Sequence, residues 1–260
     1  MTNGKIQEAA DILWQAYHSH DLCDPIRNLI GETDDVAAYQ IQKINHERWI
    51  SLGAIVSGKK IGLTSDAVRK QMGVEQPDFG ILYSNKEVAN EGIVNTNILH
   101  QPKVEGEIAF VLKEDLTKEE LIMNDIIQAI DYVLPAIEIV GSRIKNWDIR
   151  LTDTIADNAS SSHYVLGKTP ILLKDIDIVN CGMKLSINEK VQSIGQSSAC
   201  MGNPLNACLW LAQKMVEMGN PLKAGEVILS GALGPFVDVN YGDVVQCAIE
   251  GLGIVDVSFD

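Results

Sequence analysis

The fold and the chemistry of this chain are decided by the stretch KVEGEIAFVL, residues 103–112. Two glutamates separated by one glycine open a run of strand-forming residues. Because side chains alternate between the two faces of a strand, Glu105 and Glu107 are predicted to share one face, with Val104 and Ile108 on the other. Like charges on a half-buried strand repel each other and resist desolvation, and a divalent cation would neutralise them. The alternative is an edge strand with a solvated acidic face.

A third acid lies inside another short apolar run, VLPAIEIVG at residues 133–141. Both neighbours of this acid, Glu138, are isoleucines, and a glutamate is rarely buried without a partner. Three carboxylates on two apolar strands would form one face of an octahedral site for magnesium or manganese, which leaves positions for water and substrate. The alternative is a core glutamate paired with a lysine. We favour the metal site as the interpretation of Glu105, Glu107 and Glu138.

Composition and charge limit the class of protein. The chain has 260 residues, of which 46% are hydrophobic and 22% charged, as in ordinary globular proteins. Its formal net charge of -14 argues against nucleic acid as a partner. Five scattered cysteines without a CxxC pair favour a reduced compartment, and no apolar run is long enough to span a bilayer. We therefore expect a soluble cytoplasmic protein without a membrane or nucleic-acid partner.

The order of the predicted elements favours an α+β fold, with helices first and a strand-rich body after them. Apolar spacing and end signals predict helices over residues 6–17, 33–53, 66–72, 119–130 and 203–219. Strands are predicted over residues 227–230, 236–239, 244–249 and 254–259. We expect residues 1–60 to form a helical region packed on one catalytic domain of residues 61–260.

Two segments contain candidate acid/base residues. In KKIGLTS, residues 59–65, strand alternation places Lys60 on the same face as Gly62. A desolvated lysine there could act as an acid or base, although most loop lysines are simply solvated. QPDFG, residues 76–80, predicts a tight turn around Asp78. That carboxylate would either hydrogen-bond within the turn or be carried to the substrate on a mobile flap.

Two further segments are candidates for contact with a small ligand. ADNASSSH, residues 156–163, gathers small polar groups that include Ser160, and the alternative is a capped turn. A serine-hydrolase interpretation is weak because there is no nucleophile elbow. SGALGP, residues 230–235, begins with Ser230 and has the backbone freedom that close approach of a ligand, or any sharp turn, requires.

Together these segments strongly resemble the 2-keto-4-pentenoate hydratases of the fumarylacetoacetate-hydrolase-like superfamily. The matching motifs keep a common order over nearly the whole length, as KIGLTS (60–65), QPDFG (76–80), EGE (105–107), PAIEIVGSR (135–143), ADNAS (156–160), NPLNACLWL (203–211) and SGALGP (230–235). The resemblance implies a mixed β-sandwich or rolled β-sheet body with outer helices. It also implies Mg²⁺ or Mn²⁺ held by Glu105, Glu107 and Glu138, and symmetric homo-oligomers that include pentamers and decamers.

The activity that the resemblance implies is a step of aromatic catabolism. Water is added to 2-hydroxypenta-2,4-dienoate, also called 2-keto-4-pentenoate, to give 4-hydroxy-2-oxopentanoate. We assign Lys60 and Asp78 to the acid/base couple that protonates C5 and activates water for C4, as a hypothesis. Leu63, Ser160 and Ser230 are the candidates for contact with the substrate.

Three residues help to distinguish a hydratase from the related hydrolases and decarboxylases. Gly106 stands where the hydratases usually have alanine, and Glu-Gly-Glu also occurs in acylpyruvate hydrolases, whose third ligand is typically aspartate. Glu138 therefore favours a hydratase. The related 4-oxalocrotonate decarboxylases share the three glutamates but lack the aspartate of Pro-Asp-Phe-Gly, so Asp78 favours a hydratase too. The alternatives are a decarboxylase or acylpyruvate hydrolase on the same scaffold, or a non-catalytic subunit of a hydratase/decarboxylase complex. A downstream aldolase or decarboxylase is a candidate partner.

Overall fold

Helices at the start of the chain lead into a body of two β-sheets. The structure, a computed structural model, describes residues 3–66, 69–70 and 74–260. Its helices are α1 (Asn3–Ser19), α2 (Arg27–Ile30), α3 (Asp35–Ser51), α4 (Met123–Ala129), α5 (Leu151–Ala156) and α6 (Pro204–Glu217). Its strands are β1 (Val56–Gly62), β2 (Asp78–Tyr83), β3 (Glu87–Val88), β4 (Gly92–Val94), β5 (Lys103–Leu112), β6 (Ile130–Val140), β7 (Ser161–Leu166), β8 (Gly182–Ile187), β9 (Lys190–Gln196), β10 (Val227–Leu229), β11 (Val237–Asp238), β12 (Val244–Ile249) and β13 (Gly253–Phe259).

Most predicted elements are confirmed, with two exceptions among the helices. The helix predicted over 119–130 is shorter than expected, because Ile122 has extended backbone angles and Ile130 already begins β6. The helix predicted over 66–72 lies partly outside the described residues. None of the helices that the structure describes is both long and apolar enough to cross a membrane. The helices at the start of the chain and the two β-sheets after them confirm the predicted α+β class.

The larger sheet has the strand order β2-β1-β10-β5-β6-β7-β3, and β11 also pairs with β5. β5 and β6 are antiparallel over almost their full lengths, from Lys103 opposite Val140 to Leu112 opposite Ile130. Since β5 has β10 and β11 on one side and β6 on the other, it is a central strand. The edge-strand interpretation of the acidic run is therefore wrong.

The smaller sheet, with the order β4-β13-β12-β8-β9, covers one face of β5. Val104, Ile108 and Phe110 pack there in the main hydrophobic core, together with residues of the smaller sheet and of α6. The opposite face of β5 contributes Ala109 to a second cluster inside the curve of the larger sheet. Because apolar residues cover both faces, any carboxylate on β5 is taken out of bulk water.

Gly106 lies where β5 of the larger sheet packs closely against β8 and β12 of the smaller one. A Cβ atom at this position would lie 2.6 Å from Cys247 Sγ and 3.1 Å from Met183 Sδ. We expect Gly106→Ala to lower the free energy of unfolding by about 1–3 kcal/mol, because the extra methyl group overpacks this contact. Removing the opposing sulfur in Gly106→Ala/Cys247→Ala should restore part of the loss. Urea unfolding of both variants checks this, and a single variant as stable as the wild type would contradict it.

The N-terminal helices pack on the β2 side of the larger sheet. Their shared core combines residues of α1, α2 and α3 with Ile144, Ile155 and Ala156. The buried side chain of Gln42 on α3 donates hydrogen bonds to the carbonyls of Phe79 (2.9 Å) and Ile155 (3.1 Å). These bonds connect α3 to β2 and α5. β2 begins with Asp78, and α5 contains Thr154, which donates a hydrogen bond to Asp78.

Candidate active site

Three glutamates meet inside the curve of the larger sheet. Glu105 and Glu107 share one face of β5, as alternation predicts, and Glu138 of β6 lies directly opposite Glu105. One carboxylate oxygen from each residue lies within 4.8 Å of those from the other two, and the exposed fractions of the residues are only 8%, 0% and 0%. The antiparallel register of β5 and β6 therefore gathers carboxylates that are 33 residues apart in the chain.

The oxygens of this cluster are only partly satisfied. Glu107 Oε2 accepts a hydrogen bond from the Gly231 N–H at 2.8 Å. Glycine is required at position 231, where φ is +98° and a Cβ atom would lie 2.4 Å from Thr64 Oγ1. Glu107 Oε1 and Glu138 Oε1 are buried without a hydrogen-bond partner among the residues that the structure describes. Orphaned carboxylate oxygens in this arrangement suit a hard divalent cation.

Lys60 is buried beside the carboxylates, with an exposed fraction of 3%. Its Nζ lies 3.1 Å from Glu138 Oε2 and donates a hydrogen bond to the Ala159 carbonyl at 3.0 Å. The lysine-paired glutamate considered as an alternative is therefore present, but within a cluster of three carboxylates. One ammonium cannot balance three carboxylates and the nearby Asp78, so the site retains room for further positive charge.

The buried charges of the site shift one another's pKa values. Burial, and next the charge of Glu138, raise the pKa of Glu105 to about 8, and the same causes raise the pKa of Glu107 well above its ordinary value. Burial alone would lower the pKa of Lys60, but the surrounding carboxylates outweigh it and raise that pKa. The charge of Lys60 therefore offsets part of the repulsion among the buried carboxylates, and burial and the remaining repulsion disfavour the charged forms of Glu105 and Glu107.

Asp78 is the first residue of β2, so the tight turn predicted over 76–80 is wrong for its last three residues. The residue is 1% exposed and lies in a paired strand, and the flap interpretation stays untested. Its Oδ2 accepts a hydrogen bond from Thr154 Oγ1 at 3.2 Å, and burial raises its pKa. Its Oδ1 has no hydrogen-bond partner in the described chain, and a Cβ atom at Gly62 would lie 2.1 Å from it. Since that same Cβ atom would lie 3.6 Å from Lys60 Nζ, the two candidate acid/base residues are close neighbours.

The other predicted site residues lie around this group. Ser160 is buried next to Ala159, and its Oγ has no partner in the described part of the chain. Ser230 Oγ accepts the Ile108 N–H at 3.1 Å and donates to the Gly231 carbonyl at 3.0 Å, so the backbone engages this hydroxyl. Leu63 follows β1 with a φ of +56° and is half-buried. Its role as a substrate contact stays a prediction.

Sequence reasoning did not assign roles to three residues at this site. Thr154 contacts Asp78, and Arg143 forms a buried ion pair with Asp157. Arg143 and Asp157 both lie within motifs that carry the family resemblance, so they could have been found there. Thr154 lies outside those motifs, and only the packing of α5 against β2 reveals it.

A separate cavity lies between the N-terminal helices and β2. Its lining includes aromatic and basic side chains, among them Trp14, Tyr17, Trp49, Tyr83 and Lys86. The three glutamates do not line it. The carboxylate cluster, with its unsatisfied buried oxygens, is therefore the candidate active site.

The raised carboxyl pKa values predict how the stability of metal-free protein depends on pH. The pKa of Glu105 is about 8 in the folded chain and about 4.3 in an unfolded one. The folded state therefore binds this proton more tightly than the unfolded state, and protonation stabilises the fold. That stabilisation is fully present below the unfolded-state pKa and is lost as pH rises through 8. We expect the melting temperature of EDTA-treated protein to fall by about 5 °C between pH 6 and 8.5.

The matched control is the double variant Glu105→Gln/Glu107→Gln, in which these two titrating groups are absent. Its melting temperature should change less over the same pH range, measured by calorimetry at constant ionic strength. An equal fall in both proteins would show that other groups cause the pH dependence.

Comparison with known proteins identifies the family. Residues 61–259 match the fumarylacetoacetate (FAA) hydrolase C-terminal family. The chain is 52% identical over 257 residues to the TodF product hydratase of Pseudomonas putida, covering 98% of this chain and 96% of that protein. It is 50% identical over 260 residues to the 2-keto-4-pentenoate hydratase of Paraburkholderia xenovorans, covering 100% of this chain and 97% of that one.

A solved structure confirms the fold over the full length. The 4-oxalocrotonate decarboxylase from Pseudomonas putida G7, complexed with magnesium and adipate, superposes with a TM-score of 0.95 at 32% identity. The match covers 100% of this chain and 99% of the decarboxylase. The mixed β-sheet body implied by the sequence resemblance is therefore confirmed. With hydratases at about 50% identity and a family match over most of its length, the chain belongs to the fumarylacetoacetate hydrolase family and, within it, to the 2-keto-4-pentenoate hydratases.

Proposed function

We propose that this protein is a metal-dependent hydro-lyase that adds water to 2-hydroxypenta-2,4-dienoate to give 4-hydroxy-2-oxopentanoate. The observation that carries the proposal is a buried cluster of three carboxylates, with orphaned oxygens, beside a lysine and an aspartate. The names of the relatives at 50–52% identity support this choice of reaction.

Glu105, Glu107 and Glu138 would hold the metal, for which we propose Mg²⁺ or Mn²⁺. Hard oxygen ligands suit both ions, and the magnesium in the solved decarboxylase supports this assignment. When bound, such a cation supplies Lewis-acid stabilisation of the negative charge that develops on a 2-oxo acid. The Gly231 N–H engages Glu107 Oε2, which would leave Oε1 free to bind the metal.

Lys60 and Asp78 would form the acid/base couple of the reaction. The diene must gain a proton at C5, and water must lose one as it adds at C4. Both side chains are buried and adjacent to each other. The Ala159 carbonyl accepts a hydrogen bond from the Lys60 ammonium, and Thr154 donates one to an oxygen of the Asp78 carboxylate. These hydrogen bonds fix the orientation of the ammonium and of the carboxylate for proton transfer.

The remaining proposals concern substrate contacts and assembly. Ser160, whose buried hydroxyl is unsatisfied among the described residues, would bind the substrate, with Leu63 and Ser230 at the edge of the site. We propose that residues 1–60 form a helical region packed on a catalytic domain of residues 61–260, and that the chain works as a homo-oligomer. Pentamers and decamers are the expected states, and a downstream aldolase or decarboxylase is the expected partner.

The test is an ultraviolet and mass assay with freshly generated 2-hydroxypenta-2,4-dienoate. Metal-stripped protein is compared with and without added Mg²⁺ or Mn²⁺. We expect metal-dependent loss of the diene absorbance and a product heavier by one water. Carbon dioxide release from 4-oxalocrotonate, or cleavage of an acylpyruvate, without hydration would overturn the reaction but keep the site. Metal binding without turnover of any of these acids would favour a non-catalytic subunit.

A further inference from the structure

Arg143 lines the cavity between the N-terminal helices and β2, and the polar contacts of its side chain are with the segment that follows α5. It is 4% exposed and faces Asp157, which is 5% exposed. The Arg143 backbone N–H donates to Asp157 Oδ2 at 3.0 Å, and its Nε donates to Asp157 Oδ1. The directions of these hydrogen bonds define one geometry for the ion pair. Loss of either partner would leave an uncompensated buried charge.

The residues that follow Asp157 have an unusual backbone. Asn158, Ala159 and Ser160 have φ values of +55°, +50° and +57°, which place three consecutive side-chain-bearing residues in the left-handed region. That region is disfavoured for residues other than glycine, less so for asparagine, and such conformations persist where the surrounding structure enforces them. Two residues of this left-handed run, residues 158–160, are held directly: the Asn158 amide exchanges hydrogen bonds with the backbone of Ile81, and the Ser160 carbonyl accepts one from the Gly141 N–H.

The guanidinium of Arg143 contacts the backbone on both sides of the left-handed run. Its Nη2 donates to the Asp157 carbonyl at 2.6 Å, before the run, and its Nη1 donates to the Ser161 carbonyl at 3.4 Å, after it. A planar fork of N–H donors can reach both carbonyls and the carboxylate at once. The compact ammonium of a lysine cannot reproduce that pattern.

The left-handed run supplies a direct contact to Lys60. The Ala159 carbonyl at its centre accepts the hydrogen bond from Lys60 Nζ at 3.0 Å. The run also packs tightly on β2, since a Cβ atom at Gly80 would lie 2.3 Å from the Asn158 carbonyl oxygen. A shift of this backbone would therefore move the acceptor away from the ammonium and leave Lys60 held by Glu138 alone.

We propose that Arg143 is a positioning residue, which holds the left-handed run so that the Ala159 carbonyl orients the Lys60 ammonium in the site. This inference rests on the proposed function of Lys60 as half of the acid/base couple. Arg143 acts through the backbone and contacts none of the metal ligands. Ser160, a proposed substrate contact, lies in the run and would move with it.

The test compares Arg143→Lys with the wild type. We expect kcat to fall about 10- to 100-fold, the cost of a misplaced reacting group, while the affinity for Mn²⁺ stays within about twofold. Adding Ala159→Gly to this variant should recover several-fold of the lost kcat, because glycine adopts the left-handed conformation without the arginine. Arg48→Lys is the matched control, since Arg48 contacts Asp11 and the Ala10 carbonyl rather than the run, and its kcat should not change.

An activity-independent readout separates this inference from the proposed function. If the wild type does not hydrate the dienoate with metal present, the proposed function fails. Crystal structures of the wild type and Arg143→Lys then decide the inference, because the Lys60 Nζ to Ala159 oxygen distance should increase beyond about 3.5 Å, the limit of a hydrogen bond. If Arg143→Lys does not fold, Asp157→Asn serves in the same measurements. Unchanged kcat, an unchanged run, or a loss matched by equal loss of Mn²⁺ affinity would overturn the inference.

Discussion

Glu107→Gln is expected to abolish metal-dependent turnover while the fold is kept. The amide oxygen can still accept the Gly231 N–H, which leaves the amide nitrogen at the position of the free Oε1. An amide nitrogen is no ligand for Mg²⁺ or Mn²⁺. Because changing an outer partner of a metal ligand already costs about 10- to 100-fold, loss of a ligand should lower turnover by more than about 100-fold.

Stability should change in the opposite direction from activity. Burial and the neighbouring Glu138 and Glu105 charges raise the pKa of Glu107 well above its ordinary value, which means that its charged form is disfavoured in the metal-free protein. A neutral glutamine removes that repulsion. We expect the EDTA-treated variant to melt at or above the wild-type temperature, but to gain nothing from added Mn²⁺.

Glu226→Gln is the matched control for this prediction. Glu226 is also paired with a lysine, at 3.0 Å from Lys59 Nζ, but this pair is separate from the carboxylate cluster. This variant should retain turnover and the stabilisation by Mn²⁺. Full activity of Glu107→Gln would remove the metal hypothesis.

Asp78→Asn should suppress hydration but leave metal binding intact. The asparagine oxygen can take over the hydrogen bond from Thr154 Oγ1, so the side chain keeps its place. What is lost is the carboxylate oxygen that has no partner among the described residues, and with it the capacity to take up a proton. General acid–base catalysis contributes typically about 10²–10⁴-fold, and we expect a fall in kcat of that order.

Titration calorimetry with Mn²⁺ should give the same affinity for Asp78→Asn and the wild type. The matched control is Asp238→Asn, since Asp238 lies on β11, next to β5, and pairs with Lys103 at the surface. That variant should keep its kcat. An unchanged rate in Asp78→Asn would remove the assigned role, and a parallel loss of Mn²⁺ affinity would instead make Asp78 part of the metal site.

Strand alternation made much of the candidate site predictable. A period of two residues put Glu105 and Glu107 on one face, and an apolar setting marked Glu138 as an acid in need of a partner. The order of the motifs identified the superfamily and, through it, the rolled sheet. Local sequence was less reliable at Asp78, where the Pro-Asp-Phe-Gly pattern typical of a turn is overridden by pairing of β2 with β1.

The sequence by itself indicated the candidate site residues, because residue type, alternation along β5 and the order of the motifs can all be read from it. Only the tertiary structure decided that β5 is central, that Glu105 faces Glu138, and that Lys60 joins them. It also decided that Arg143 holds Asp157 and Ser161 on either side of a left-handed run. These are contacts between distant segments, which arise from sheet register and packing, and no local spacing encodes them.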